Sequence, residues 1–166
     1  MIMQDGKLSK AQRHMSMVLI FLRSAPTPKP SKPLTPDSPP SAELPLNPLE
    51  YLRVAVDSVA PLIKVRSLKG MAGGGASLEV PVPLNLRQRR RFAIKWILEL
   101  VRKKQSRVSG RERFAYRLAS EIISIVQGSS SVWQKRQNVH RQGTTARANL
   151  NAPQLAKKGM KLKKQF

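Results

Sequence analysis

Between Leu86 and Lys104 the chain reads LRQRRRFAIKWILELVRKK, and this stretch limits the available folds more than any other. Ala93, Ile94, Ile97, Leu98, Leu100 and Val101 recur at three- and four-residue intervals, the pattern of a helix with one apolar face. Arg87, Arg89, Arg90 and Arg91 crowd its first turns, where the positive end of the helix dipole disfavours cations. The imbalance continues downstream. Residues 87–166 hold 21 Lys and Arg against three carboxylates, a surplus of 18 within the chain's +22. A surface so charged repels itself, and a polyanion is the natural remedy. Because the arginines sit inside patterned segments, the expectation is a folded body placed on nucleic acid.

A length of 166 residues suggests one domain with extensions, and a hydrophobic fraction of 40% supplies a modest core. Aromatics amount to only 5%, so rows of rings stacking on single-stranded bases are not the expected mode. The absence of cysteine removes disulfides, thiolate metal sites and a Cys nucleophile. His14 and His140 stand far apart without a carboxylate cluster, so neither a metal centre nor a catalytic dyad is expected. The reading is therefore a non-enzyme with no cofactor and no small-molecule substrate. Residues 15–22, MSMVLIFL, are too few to span a membrane and continue a helical stripe, so no membrane partner is expected.

Along the chain, Leu8, Ala11, Met15, Val18, Leu19 and Leu22 mark an amphipathic helix over residues 8–23, with Ser9 as its expected N-cap. An Asp-Gly turn precedes it. Nine of the 13 prolines fall between Pro26 and Pro48, which predicts a disordered insertion over residues 25–47. Leu49, Leu52, Val56 and Val59 resume helical spacing behind an Asn47-Pro48 start. Short alternating runs around Val65 and Val80, flanking Gly70 and Gly73–Gly75, predict a β-hairpin at about residues 62–83 with Lys64, Arg66 and Lys69 facing outward. Asn85 opens the basic helix. Ser109 is expected to cap another over residues 110–127, striped by Phe114, Ala115, Leu118, Ala119, Ile122, Ile125 and Val126 and stopped by Gly128. Arg117 and Glu121 are spaced for a surface ion pair. Residues 130–150 predict a last helix with a weak point at Gly143, and residues 152–166 a basic disordered tail. Trp96 is expected in packing contacts. The fold class is mainly α: a bundle of about five to six short helices with a protruding β-hairpin arm. The expected organisation is residues 1–24, 25–47, 48–151 as the nucleic-acid-binding domain, and 152–166.

Five stretches stand out together: IMQDGKLSKAQR (residues 2–13), LEYLRVAVDSVAPLIKVRS (49–67), VPVPLNLRQRRRFAIKWILE (80–99), FAYRLASEI (114–122) and VWQKRQNVHRQGTTARAN (132–149). In their order and spacing they resemble the bacterial-type small-subunit ribosomal protein seven family in its mitochondrial, fungal-like form. The last stretch is similar to the family's K-K-R-x-x-x-H-R block, though Gln137 and Asn138 replace its usual acidic pair. The resemblance implies a structural constituent of the small ribosomal subunit, working in translation. It implies binding to the 3′ major (head) domain of small-subunit rRNA and a part in head assembly. It further implies a place near the mRNA exit path and exit-site tRNA, with small-subunit proteins nine, eleven, thirteen and nineteen as neighbours. Localisation would be mitochondrial, although no targeting peptide is visible; the family's basic N-terminal segment has no counterpart before Met1.

The resemblance assigns RNA contacts to Lys64, Arg66 and Lys69 on the arm, and to Arg87, Arg89, Arg90 and Lys95 on the basic helix. On the last helix it assigns Lys135, Arg136, His140, Arg141 and Arg147. These side chains would contact phosphates and 2′-hydroxyls, because the deep A-form major groove is closed to them. The alternative is a general basic nucleic-acid-binding protein outside the ribosome, since phosphate attraction does not identify the polymer.

Overall fold

A computed structural model describes residues 1–26, 47–70, 76–106 and 108–151. The Pro-rich segment, Gly73–Gly75 and the basic tail, for which disorder or a flexible tip was expected, lie outside them. The elements run α1 (Leu8–Ser24), α2 (Pro48–Val59), β1 (Ile63–Leu68), β2 (Leu78–Pro83), α3 (Leu86–Lys103), α4 (Arg113–Val126) and α5 (Val132–Thr145). Short 3-10 segments occupy Gly110–Glu112 and Ala146–Asn151. The chain is thus mainly α with one hairpin. Its contacts divide into two units, Met1–Ala60 with Arg90–Trp133, and Pro61–Arg89 with Gln134 onward.

The first unit is built around α4. Ala115, Leu118, Ala119, Ile122, Ile125 and Val126 are buried together with Val18, Ala55, Val59, Ile97, Val101 and Val132. Burial of such apolar surface, worth about 25 cal/mol per Å² removed from water, holds the helices together. Trp96 packs against this cluster, with its ring 6.2 Å from that of Phe92. The Trp133 indole N–H donates to the Ile125 carbonyl at 3.1 Å, which satisfies the polar atom of a half-buried ring.

Helix ends follow local chemistry, with two departures from expectation. The helix α1 begins at Leu8, one residue before the expected cap Ser9, and no side chain caps it. Its start is set instead by the turn at Asp5 and Gly6, both at positive φ, closed by Lys7 N–H donating to the Gln4 carbonyl. Ser109 likewise makes no capping bond; a 3-10 turn intervenes before α4 begins at Arg113. The remaining ends behave as read. The Asn47 side chain accepts from Leu49 N–H, with Pro48 in the first turn. At α3 the Asn85 side chain accepts from Leu86 N–H at 2.6 Å, while the Gln88 side chain reaches back to accept from the Asn85 amide, one half of a capping box. Past α4, Gly128 lies at φ +77°; its amide donates to Ile125 and that of Ser129 to Ser124, the paired bonds of a Schellman stop.

Glu121 corrects the sequence reading. It is buried at 5% exposure and does not pair with Arg117 on the surface. Ser130 Oγ donates to it at 2.6 Å and Lys104 Nζ at 3.1 Å, while Arg117 donates to the Lys104 carbonyl. Ser130 Oγ in turn accepts from Val132 N–H at the head of α5. Helical spacing brought Arg117 and Glu121 to one side of α4, but a buried carboxylate requires partners that follow it out of water.

In the second unit β1 and β2 pair antiparallel, with Lys64 opposite Val82, Val65 opposite Pro81, Arg66 opposite Val80 and Leu68 opposite Leu78. Leu84 N–H donates to the Leu62 carbonyl, which fixes the ladder's phase. Pro81 and Pro83 then occupy positions whose amide would point away from β1, where a proline removes no ladder bond. Gly143 is the second correction. The helix α5 runs through it without interruption. Gly143 is buried, and a Cβ there would collide with Ile63 Cδ1 and lie 3.8 Å from Pro81 Cβ. The glycine marks the close approach of α5 to the hairpin, not a weakness in the helix.

Candidate nucleic-acid interface

The second unit gathers most of the cationic side chains singled out in the sequence. The beginning of α3, the hairpin and the body of α5 each contribute. Arg89, Arg136 and His140 meet electrostatically. Burial, and then the charge of Arg89, push the Arg136 guanidinium below its ordinary range. Burial, Arg136 and Arg89, in that order, push His140 below the usual histidine value. The Arg89 Nε atom is buried and has no hydrogen-bond partner among the described residues. Cations held close together repel one another, and an anion set between them would relieve that repulsion.

Arg90, one residue along, provides the contrast. Within the first unit its Nε and Nη2 donate to the two Asp57 oxygens, each at 2.7 Å, a bidentate fork that pushes its pKa further up. Arg53 approaches the same carboxylate at 3.9 Å. The Arg90 side chain, expected at RNA, is therefore engaged by a carboxylate of its own unit. Lys95, also in the first unit, is exposed.

In the same unit, Arg66, Lys69, Arg87, Arg141 and Arg147 are exposed, and Lys64 and Lys135 half-buried. The strand register puts Lys64 and Arg66 on the face that also carries Leu78 and Val80, both buried. The hairpin therefore does not separate polar from apolar by face, as simple alternation would have it. His140 has a definite protein partner: its Nε2 accepts from Leu62 N–H at 3.1 Å. Accepting there requires an unprotonated Nε2, consistent with the downward pKa.

Two supporting residues were missed in the sequence and a third was misread. Asp57 sits in an otherwise ordinary helix and nothing local announces its fork with Arg90. Gly143 was seen but misread. The Asn149 side-chain amide donates to the Glu79 carbonyl at 2.8 Å, joining the 3-10 turn after α5 to β2. A polar residue at a chain-distant backbone carbonyl leaves no periodic signal.

Comparison with known proteins bears on this surface. The family model for ribosomal protein S7p/S5e matches residues 1–147. The chain is similar to the small ribosomal subunit protein uS7m of Neurospora crassa, 62% identical over 161 residues, which are 96% of this chain and 52% of that protein. It is similar to the Schizosaccharomyces pombe protein of the same name, 30% identical over 149 residues, covering 90% of this chain and 48% of the relative. The small ribosomal subunit protein uS7 of Pseudomonas fluorescens is 33% identical over 102 residues, covering 61% of this chain and 60% of that one. The chain thus spans about half the length of the two fungal relatives.

Proposed function

Because the chain belongs to the ribosomal protein S7p/S5e family, we propose that it is a structural constituent of the small subunit of the mitochondrial ribosome. In this reading it binds the 3′ major, head domain of small-subunit rRNA and supports assembly of the head. It lies near the mRNA exit path and exit-site tRNA, beside small-subunit proteins nine, eleven, thirteen and nineteen. Its role is to neutralise and position folded RNA, with no reaction to catalyse.

The observation that carries the reading is the meeting of Arg136 and His140 with Arg89, where burial and neighbouring positive charge push Arg136 and His140 downward. A phosphate between such guanidiniums would accept charge-assisted hydrogen bonds from planar forks, the geometry arginine favours. Arg87, Arg141, Arg147, Arg66, Lys69 and Lys64 would extend the contact along neighbouring phosphates, with Lys135 at the start of the same helix. The family resemblance adds Lys95. Arg90, held by Asp57, shapes the protein beside them.

The test is sedimentation of the epitope-tagged full chain in gradients of mitochondrial lysate at low ionic strength. Co-migration with small subunits, and cross-links to head-domain rRNA, are expected. A chain that stays at the top of the gradient, or cross-links equally to duplex DNA competitor, would refute the assignment.

A further inference from the structure

Among the described residues, the hairpin meets α5 and the 3-10 turn that follows it at three points, all within the second unit. Gly143 admits Ile63 to the helix surface, Asn149 donates to the Glu79 carbonyl, and His140 accepts from the Leu62 amide. The third differs from the others because it titrates. In the ladder's phase, Leu62 and Leu84 face each other as a hydrogen-bonded pair, and Leu84 does donate to the Leu62 carbonyl. The Leu62 amide turns to His140. An imidazole on α5 thus takes the donor that the next rung of the hairpin would use.

We propose that His140 is a positioning residue: unprotonated, it latches the base of the hairpin to α5, and protonation opens the latch. An imidazolium carries N–H on both ring nitrogens and cannot accept from an amide. The donor it releases sits on an exposed residue, where water can satisfy it. The charged groups facing the ring are Arg136, four residues earlier on α5, and Arg89 at the start of α3; both repel the protonated form. The hairpin itself contributes the Leu62 amide.

The sign follows from linkage. Burial and the two guanidiniums lower His140 from its ordinary 6.5, so the latched form binds its proton less readily than the unlatched one. Latching is therefore fully favoured above pH 6.5, weakens as pH falls below it, and is lost through the lowered value. With one proton involved, the latching equilibrium shifts by at most about tenfold per pH unit. The consequence for RNA rests on the function proposed above; the latch does not.

Two measurements on the full chain separate these. In the ¹⁵N-labelled protein, a scalar coupling across the Leu62 N–H···Nε2 His140 bond is expected at pH 7.5 and absent at pH 5. No coupling at either pH, or one unchanged at pH 5, overturns the latch. The second measurement is affinity for a head-domain rRNA transcript between pH 7.5 and 5. A latch predicts weaker binding on acidification, by up to about tenfold per unit, and a flat profile for His140→Gln, which keeps an acceptor that does not titrate. Binding that strengthens on acidification would make His140 a direct phosphate contact and overturn the positioning role, as would pH dependence surviving in His140→Gln. Failure to bind the transcript at every pH would instead remove the proposed function, leaving the coupling to decide the latch.

Discussion

Replacing Ser130 with alanine should destabilise the first unit far more than replacing Lys104, although both residues touch the same carboxylate. Ser130 is 7% exposed and donates to Glu121 at 2.6 Å, deep enough that water cannot replace it. A hydrogen bond to a charged group contributes about 1.5–3 kcal/mol. The same hydroxyl accepts from Val132 N–H, and losing such a helix-start contact costs about 1 kcal/mol. Ser130→Ala should therefore cost about 2–4 kcal/mol. The Lys104 side chain is 42% exposed, so cutting it back opens the facing Glu121 oxygen to water, which replaces the ammonium, and Lys104→Ala should cost about 1 kcal/mol. The assay is urea unfolding of the full chain, followed by tryptophan fluorescence, since Trp96 and Trp133 both pack against the core of the first unit. Equal losses, or a larger loss for Lys104→Ala, would show that the ion pair and not the buried hydroxyl holds Glu121, and the reasoning would fail.

Gly143→Ala should loosen the hairpin by about 1–3 kcal/mol through overpacking, partly offset by about 1 kcal/mol of helix propensity. Adding Ile63→Val, which deletes the colliding Cδ1, should recover part of that loss; a double-mutant cycle without favourable coupling argues against the contact. Tyr51 OH is buried without a hydrogen-bond partner among the described residues, so Tyr51→Phe should be neutral or stabilising by about 1 kcal/mol in thermal unfolding. Burial pushes that phenol up to about 12, so ultraviolet titration should show a phenol still mostly protonated at pH 11 that Tyr51→Phe removes. Arg89→Ala with Arg136→Ala should reduce the salt slope of RNA binding by about two phosphate equivalents, whereas an unaltered slope would place the phosphates elsewhere.

The helices were legible because their signals are local and periodic. The stripe from Phe114 to Val126, the Asn85 start and the Gly128 stop each depend on residues within one or two turns. The hairpin was legible from alternation, and Pro81 and Pro83 fit its edge. What escaped was set by contacts between distant segments. Ser9 and Ser109 are good capping residues by type, yet a turn at Asp5–Gly6 and a 3-10 turn at Gly110–Glu112 took over those helix starts. Glu121 had a helical neighbour of opposite charge and was drawn inward by Ser130 and Lys104 instead. Gly143 looked like a flaw until Ile63 was seen against it. The candidate surface was readable as a class of residues but not as a geometry. No run of letters distinguishes Arg89, set beside Arg136, from Arg90, locked to Asp57.

The central claim is that the cationic excess on this ordered body is balanced by the phosphates of folded rRNA. Its most direct test is the salt dependence of binding to a head-domain rRNA transcript, titrated with the full chain from 50 to 200 mM salt. Engagement of about 6–10 phosphates predicts a loss of about 10³–10⁵ in affinity across that range. An affinity that barely changes would mean that the charge is not what holds the RNA, and the account would be wrong.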